Sequence, residues 1–130
     1  MTKPGNLLIV LTVALVPAVT ACTRTSPIHN VSNAVVTSKP VKLEEVRTAI
    51  VRGGQSRGWE MTPGAPGHIV GTLYLRTHMA QVDIPYTTTS YSITYRDSKD
   101  LNYDGSSIHS NYNGWIHNLD QAIQQQLAKL

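Results

Sequence analysis

The chain has 130 residues, with 11 Lys and Arg against 8 Asp and Glu, a formal net charge of +3 and a single cysteine. This length suits one folded domain rather than two. A charge excess this small, scattered along the chain, argues against nucleic-acid binding. A lone cysteine excludes a disulfide within the chain, so the hydrophobic core must hold the fold.

Residues 1–22 have the three parts of a secretory signal. Lys3 supplies a positive start, an apolar run spans residues 7–16, and small residues at 19–21 precede Cys22. The stretch from Leu7 to Ala21 has about 15 residues and contains Thr12, Pro17 and Thr20, whereas a membrane-spanning helix needs about 20 apolar residues. The pattern predicts a cleaved signal and disfavours a retained transmembrane anchor.

The position of the cysteine resembles the lipobox of bacterial lipoproteins, in which the cysteine is diacylated and becomes the new N-terminus. The resemblance implies a signal peptide over 1–21, lipidation of Cys22 and a place in the bacterial cell envelope. Thr23 is not the Asp that retains enteric lipoproteins in the inner membrane, which implies the outer membrane, facing the periplasm. Val19 stands where a lipobox usually has Leu, and ordinary secretion with Cys22 unmodified is the alternative.

Residues 22–40 are expected to form a flexible tether. The segment is rich in Ser, Thr, Asn and Pro and has no sustained hydrophobic periodicity. Fully extended, it could hold a following domain on the order of 60 Å from the membrane. A single α+β domain is then predicted over 41–130.

A short amphipathic helix is predicted over 41–52, where apolar residues recur at helical spacing and Glu44 and Glu45 suit the N-terminal end of the helix dipole. Gly53 and Gly54 are expected to end it. Its apolar stripe is suited to covering a sheet.

The hydrophobic period then changes to two. Four short segments alternate apolar and polar residues, around Trp59 to Met61 and over 69–76, 79–86 and 90–95, with turn residues between them. Sustained alternation predicts one buried face and one wet or partner-facing side. We expect a four-stranded antiparallel β-meander.

The last segment has the clearest helical stripe. Ser110 or Asn111 is a plausible N-cap. The apolar stripe consists of Tyr112, Trp115, Ile116, Leu119, Ile123 and Leu127. Both helices are predicted to pack on one face of the sheet, which gives an α+β fold.

Four motifs carry a family resemblance. They are Gly58-Trp59, the alternating run from Leu73 to Tyr86, the run from Ser90 to Tyr95, and the stretch from Ile108 to Ile116. Together they resemble a group of small, uncharacterised proteobacterial lipoproteins over roughly residues 41–130. The resemblance implies an envelope location and a compact α+β domain, and it implies no activity, cofactor or functional residue.

One loop resembles the first half of an EF-hand calcium loop. Asp100, Asn102 and Asp104 alternate ahead of Gly105, so their oxygens could converge on one cation. The second half of the motif is missing, since Asn111 stands where a bidentate Glu is required. The alternative is an Asx-rich turn that leads into the last helix.

Catalytic and metal motifs are otherwise weak, so no cofactor is expected. The five histidines, His29, His68, His78, His109 and His117, lack the close pairing of a zinc helix motif. Ser, His and Asp are present, but no nucleophile motif brackets them. The interpretation is a non-catalytic protein, with a small hydrolase or a small-ligand or calcium-binding protein as alternatives.

The function expected from these observations is that of a membrane-anchored binding or assembly module. The polar side of the sheet would be the interaction surface for an envelope protein, with Tyr74 and Arg76 as anchors because aromatic residues and Arg are favoured at interfaces. Bare sheet edges would offer β-augmentation as a second route to a partner.

Overall fold

The computed structural model describes residues 2–5, 13–17 and 24–130. The lipidation predicted at Cys22 and most of the predicted signal peptide lie outside these residues. From Thr25 onward the elements are β1 (Thr25–Pro27), β2 (Val31–Val35), α1 (Leu43–Ser56), β3 (Glu60–Pro63), β4 (His68–Leu75), β5 (His78–Pro85), β6 (Ser90–Lys99), β7 (Ser107–His109) and α2 (Ser110–Leu127). Among the helices of the described part, none is both long and apolar enough to cross a membrane.

The strands form two antiparallel sheets. Five of them pair in the order β2-β6-β5-β4-β3, and β1 pairs with β7 as a separate two-stranded sheet. Both helices pack against the five-stranded sheet, as the burial of apolar residues from both helices and the sheet in one cluster indicates. The predicted α+β class is confirmed.

The main sheet has five strands, and the prediction of four is wrong. The additional strand, β2, lies within the segment expected to be a flexible tether, where Val31 pairs with Ile93 and Ala34 with Tyr91. An irregularity between Val31 and Ala34, where Asn33 has a φ of 50°, breaks the alternation of this strand. Because strand prediction from sequence depends on regular alternation, the pattern of residues 31–35 does not indicate a strand.

The N-terminal segment is also fastened beyond β2. The backbone N–H of Ser110 donates to the carbonyl of Arg24 at 2.9 Å, and Thr25 pairs with His109. The side chain of Asn113 bridges the backbone, since it accepts from His29 N–H and donates to the Pro27 carbonyl, both at 2.9 Å. The chain from Arg24 onward therefore belongs to the fold, and the prediction of a flexible tether over 22–40 is corrected for the described residues of that segment.

Strands β4, β5 and β6 follow the predicted alternation. Ile69, Val82 and Ile84 are fully buried between the sheet and the helices. The register of β5 with β6 shifts between Gln81 and Val82, so that β6 contains one extra residue at this point. Beyond the shift the pairing continues displaced by one residue, with Ser98 opposite Ala80.

Helix α1 continues past the two glycines that were expected to end it. A Cβ atom on Gly53 would lie 2.7 Å from the Cα of Ile123 in α2, and one on Gly54 would meet the side chain of Met61. These glycines therefore permit close packing within the helix rather than terminate it. The chain leaves the helical path at Gly58, whose φ is +80°.

The N-cap of helix α2 precedes the predicted candidates, Ser110 and Asn111, by one and two residues. The N-cap is His109, whose Nδ1 atom accepts a hydrogen bond from the backbone N–H of Asn111 at 3.2 Å. The predicted apolar stripe is otherwise confirmed, because Tyr112, Ile116, Leu119, Ile123 and Leu127 are all buried.

We expect Gly53→Ala to lower the free energy of unfolding by about 1–3 kcal/mol, because the new methyl group would overlap Ile123 and push the helices apart. Gly114→Ala is the matched control, since a Cβ atom on this second helical glycine meets nothing within 4 Å. Because Ala has a better helix propensity than Gly, the free energy of unfolding of Gly114→Ala should rise by up to about 1 kcal/mol. Urea denaturation measures both changes, and equal effects at the two sites would contradict the close contact.

Candidate functional site

The face of the five-stranded sheet that points away from the helices, which we call the open face, carries mostly polar side chains. Strand pairing places Val70 opposite Asp83 and Thr72 opposite Gln81, and Thr94 of β6 lies next to Asp83. The face comprises Glu60, Thr62, His68, Val70, Thr72, Tyr74, Met79, Gln81, Asp83, Ser92, Thr94, Arg96, Asp97 and Lys99. The predicted polar second side of the sheet is confirmed.

Three side chains from adjacent strands meet on this face, toward the end of the sheet opposite the β4–β5 hairpin, and form what we call the Asp83 cluster: His68, Asp83 and Arg96. Oδ1 of Asp83 accepts a hydrogen bond from Nη1 of Arg96 at 2.7 Å and lies 3.0 Å from Nε2 of His68. Their side chains keep exposed fractions of 38%, 27% and 48% respectively. Ion pairs this accessible contribute only about 0–1 kcal/mol to stability, so the fold does not depend on the cluster.

Neighbouring polar groups extend the Asp83 cluster into an ordered patch. Nε2 of Gln81 donates to Oγ1 of Thr72 at 3.1 Å, and Oγ1 of Thr94 donates to the Asp83 carbonyl at 3.3 Å. The patch presents a guanidinium group, a carboxylate, an imidazole and an amide on one surface. Such a set can bind polar and charged groups of a partner through directed hydrogen bonds.

A histidine beside an aspartate also belongs to hydrolase sites, but there the histidine contacts a nucleophile. Within the described residues, no histidine ring hydrogen-bonds to a serine or threonine hydroxyl. The nucleophile and base contact that a hydrolase needs is therefore not formed by the described histidines.

The two residues predicted as interface anchors lie at one end of the open face. Tyr74 is 63% exposed and lies opposite Met79. Arg76 is in the tight turn between β4 and β5, with a φ of 56°. The structure thus places both at the end of the β4–β5 hairpin, several residues along the strands from the Asp83 cluster.

The loop proposed for calcium is organised around the carboxylate of Asp104. Its Oδ1 atom accepts from the backbone N–H groups of Ser107 at 2.7 Å and Ser106 at 2.9 Å, and these bonds hold the pKa of the carboxyl below its usual range. This is an Asx turn that leads into β7. Asp100 and Asn102 have left-handed backbones, with φ of 56° and 52°.

No group of three or more His, Cys, Asp or Glu residues in the described ranges is arranged to hold a metal ion. Calcium binding by the three oxygen-bearing side chains Asp100, Asn102 and Asp104 stays a prediction.

Histidines far apart in sequence are brought together by the fold. The rings of His29 and His117 stack with centroids 4.3 Å apart and planes 20° apart. The ring of His78 lies 6.4 Å from that of His109, and its Nδ1 atom donates to the carbonyl of Asp100 at 2.7 Å. The first pair joins the N-terminal segment to α2.

Two buried tyrosines lie where the sheet packs against α2: Tyr91 belongs to β6 and Tyr112 to α2. The Tyr91 hydroxyl donates to Oδ1 of Asp120 at 2.5 Å, and burial, aided by this carboxylate, raises the pKa of Tyr91. Tyr112 is fully buried and its hydroxyl has no hydrogen-bond partner in the structure. Burial likewise raises the pKa of Tyr112.

Two clefts of several hundred Å³ lie elsewhere on the described surface. One of about 330 Å³ lies between α1 and the C-terminal residues, next to Arg52 and Lys129. Another of about 390 Å³ lies beside the turn that connects β5 to β6, next to Thr87 and Ser90. Neither is lined by the Asp83 cluster or by a histidine, so neither assembles a recognisable catalytic set.

No protein-family model, curated protein or solved structure matches the chain. The resemblance to small proteobacterial lipoproteins therefore stays an expectation. Three features of the molecule bear on its function: the open face, the β4–β5 hairpin and the sequence that precedes Arg24.

We expect the free energy of unfolding to fall steeply above pH ~10. In the unfolded chain tyrosines ionise with a pKa of about 10, whereas burial keeps Tyr91 and Tyr112 protonated to higher pH in the folded state. The free energy of unfolding therefore contains the full contribution of each phenol below pH ~10. Above pH ~10 it falls by about 1.4 kcal/mol per pH unit for each phenol. Urea denaturation at a series of pH values measures this fall.

Phenylalanine variants separate the two groups. Tyr91→Phe should cost about 1–3 kcal/mol at neutral pH because Asp120 loses its donor, whereas Tyr112→Phe should be neutral or stabilising because it removes an unpartnered hydroxyl. Each variant should flatten the alkaline fall. An alkaline profile identical to that of the parent protein in both variants would refute the assignment.

Proposed function

We propose that this protein is a lipid-anchored lipoprotein of the bacterial cell envelope that acts as a non-catalytic binding or assembly module. Its recognition surface is the open face, centred on the Asp83 cluster, and its partner is an envelope protein. The acylated residue is Cys22, and the domain faces the periplasm, on the outer membrane. The observation that carries the proposal is the Asp83 cluster.

The cluster is suited to recognition because it is ordered before a partner arrives. His68, Asp83 and Arg96 come from three different strands, and hydrogen bonds hold them in place. A partner therefore does not have to immobilise these side chains, and the entropy cost of binding is reduced. About half of the Arg96 side chain is exposed, and Arg is among the residues favoured at the centre of interfaces.

The cluster is also hard to explain by folding alone. A sheet with one buried face needs only ordinary polar residues on the other. Here the solvent-accessible ion pairs contribute little to stability. Tyr74 and Arg76, the anchors proposed from sequence, lie at the hairpin end of the same face, away from this hydrogen-bonded set. The Asp83 cluster is therefore the better candidate for the main contact.

The sheet edges support a second mode of binding. Strands β2 and β3 are the outer strands of the five-stranded sheet. A partner could extend the sheet by pairing with either of them. That mode would use backbone groups and leave the open face available.

In-cell photo-crosslinking tests the recognition surface. A photoreactive residue replaces Thr62, an exposed residue of the open face, and a second protein carries it at Gln125 on the exposed side of α2. We expect one discrete crosslinked protein from position 62 and none from position 125. Adding Asp83→Asn or Arg96→Gln should reduce the yield at least about tenfold, since one lost charged hydrogen bond costs roughly 1.5–3 kcal/mol.

The free energy of unfolding of the Asp83→Asn and Arg96→Gln variants is the control for folding. Because the cluster is solvent-accessible, we expect each to change the free energy of unfolding by less than about 1 kcal/mol. The same product from both crosslinking positions, or a yield insensitive to both substitutions, would remove the open face as the binding surface.

Metabolic labelling tests the anchor. Cells that produce the full chain are supplied with radioactive palmitate, and we expect label on the protein because Cys22 follows a lipobox-like triplet. Cys22→Ser should abolish the label. If the unsubstituted protein takes up none, lipid anchoring is refuted.

A further inference from the structure

We propose that the end of the β4–β5 hairpin is a membrane-docking surface, which lies against the phospholipid bilayer and sets the orientation of the domain. The surface consists of Arg24, Tyr74, Leu75, Arg76 and Lys99, all of them exposed. The inference rests on the proposed function, because it takes Cys22 to be acylated.

The first step is the length of chain between the lipid and the fold. Arg24 follows Cys22 by two residues, which span about 7 Å when fully extended. Arg24 is itself fixed to the domain through the hydrogen bond from Ser110 N–H. A polar headgroup layer is roughly 5–8 Å thick on each side of a bilayer, so the part of the domain around Arg24 must lie at the headgroups.

The second step is that the hairpin end lies beside Arg24. Thr25 pairs with His109, and the ring of His109 lies 6.4 Å from that of His78. His78 is the first residue of β5 and pairs with Leu75 across the hairpin. The site of attachment and the hairpin end therefore belong to the same end of the molecule.

The third step is the chemistry of this end. Tyr74 and Leu75 are 63% and 47% exposed, although Leu75 continues the alternation of the core-facing residues of β4. Leu can enter the acyl boundary, and Tyr is favoured at the membrane interface because its ring is apolar and its hydroxyl polar.

Basic residues flank the apolar pair. Arg76 follows the pair in the turn, Lys99 lies opposite Met79, which is the partner of Tyr74, and Arg24 belongs to the same end of the molecule; the acidic neighbours are Asp97 and Asp100. An excess of basic groups beside exposed apolar groups matches an anionic lipid surface.

The orientation that follows raises the Asp83 cluster above the bilayer. Asp83 is five residues along β5 from His78. At about 3.3 Å per residue, the cluster would lie roughly 15 Å from the hairpin end, if the strand runs away from the membrane. The open face would then point sideways, at a fixed height, toward other proteins of the same membrane.

Spin labelling of the full acylated chain tests the proposal. With the sole native thiol acylated, Leu75→Cys supplies one unique labelling site, and Gln125→Cys on the exposed side of α2 is the matched control. The proteins are placed in vesicles of phosphatidylethanolamine and phosphatidylglycerol. Collision rates of the label with oxygen, which concentrates in lipid, and with a water-soluble nickel chelate are then compared.

We expect the oxygen-to-nickel collision ratio to be at least about fivefold higher at position 75 than at position 125. Equal ratios would overturn the docking surface. Exclusion of both reagents at position 75 would also overturn it, because a protein partner or a second copy would then cover the hairpin.

The acyl group on the unsubstituted chain is verified by mass spectrometry. If it is absent, the proposed anchor and the docking surface fail together. If it is present and the ratios are equal, only the docking surface fails. A second reporter, Arg76→Cys, should resemble position 75, and a water-like ratio at both hairpin sites would exclude a local effect of the label.

Discussion

The backbone pairing of the N-terminal segment with the rest of the domain is the constraint on which the remaining structure depends. Residues 24–35 form one strand beside β7, a bridge to Asn113 and an outer strand beside β6. Backbone pairing of this kind orders a segment whose composition is typical of a linker. It adds the fifth strand to the sheet, and it fixes Arg24, which is separated from Cys22 in the sequence by Thr23 alone.

Much of the fold could be predicted from the sequence because its central part is regular. The meander β4–β5–β6 and the stripe of α2 follow simple periods, and the residues expected to be buried there are buried. The errors occur where the period is interrupted or a residue has two uses. Asn33 interrupts β2, Gly53 serves close packing instead of helix termination, and the ring of His109 replaces a hydroxyl or amide as the N-cap.

The candidate site was harder to foresee than the fold. Alternation alone places Asp83 on the polar side of the sheet, but it does not say which residues of neighbouring strands lie next to it. That depends on register, and the register of β6 with β5 includes a shift that no local pattern reveals. Opposite charges on strands adjacent in the meander were the available signal, and Asp83 with Arg96 is such a pair.

The extra residue in β6 has a further consequence. Tyr95 packs against Tyr112 on the helix side, while Arg96 reaches Asp83 on the open face, and Ser98 then resumes the pairing opposite Ala80. Tyr95 lies opposite Val82 on the helix side and Asp97 lies opposite Gln81 on the open face, so the bulge takes up the extra residue and the later positions keep their sides. In the regular stretches, where side chains alternate strictly, one added or lost residue would instead move every later position to the opposite side. Insertions and deletions of a single codon should therefore be tolerated at the bulge and purged from the regular stretches on either side of it.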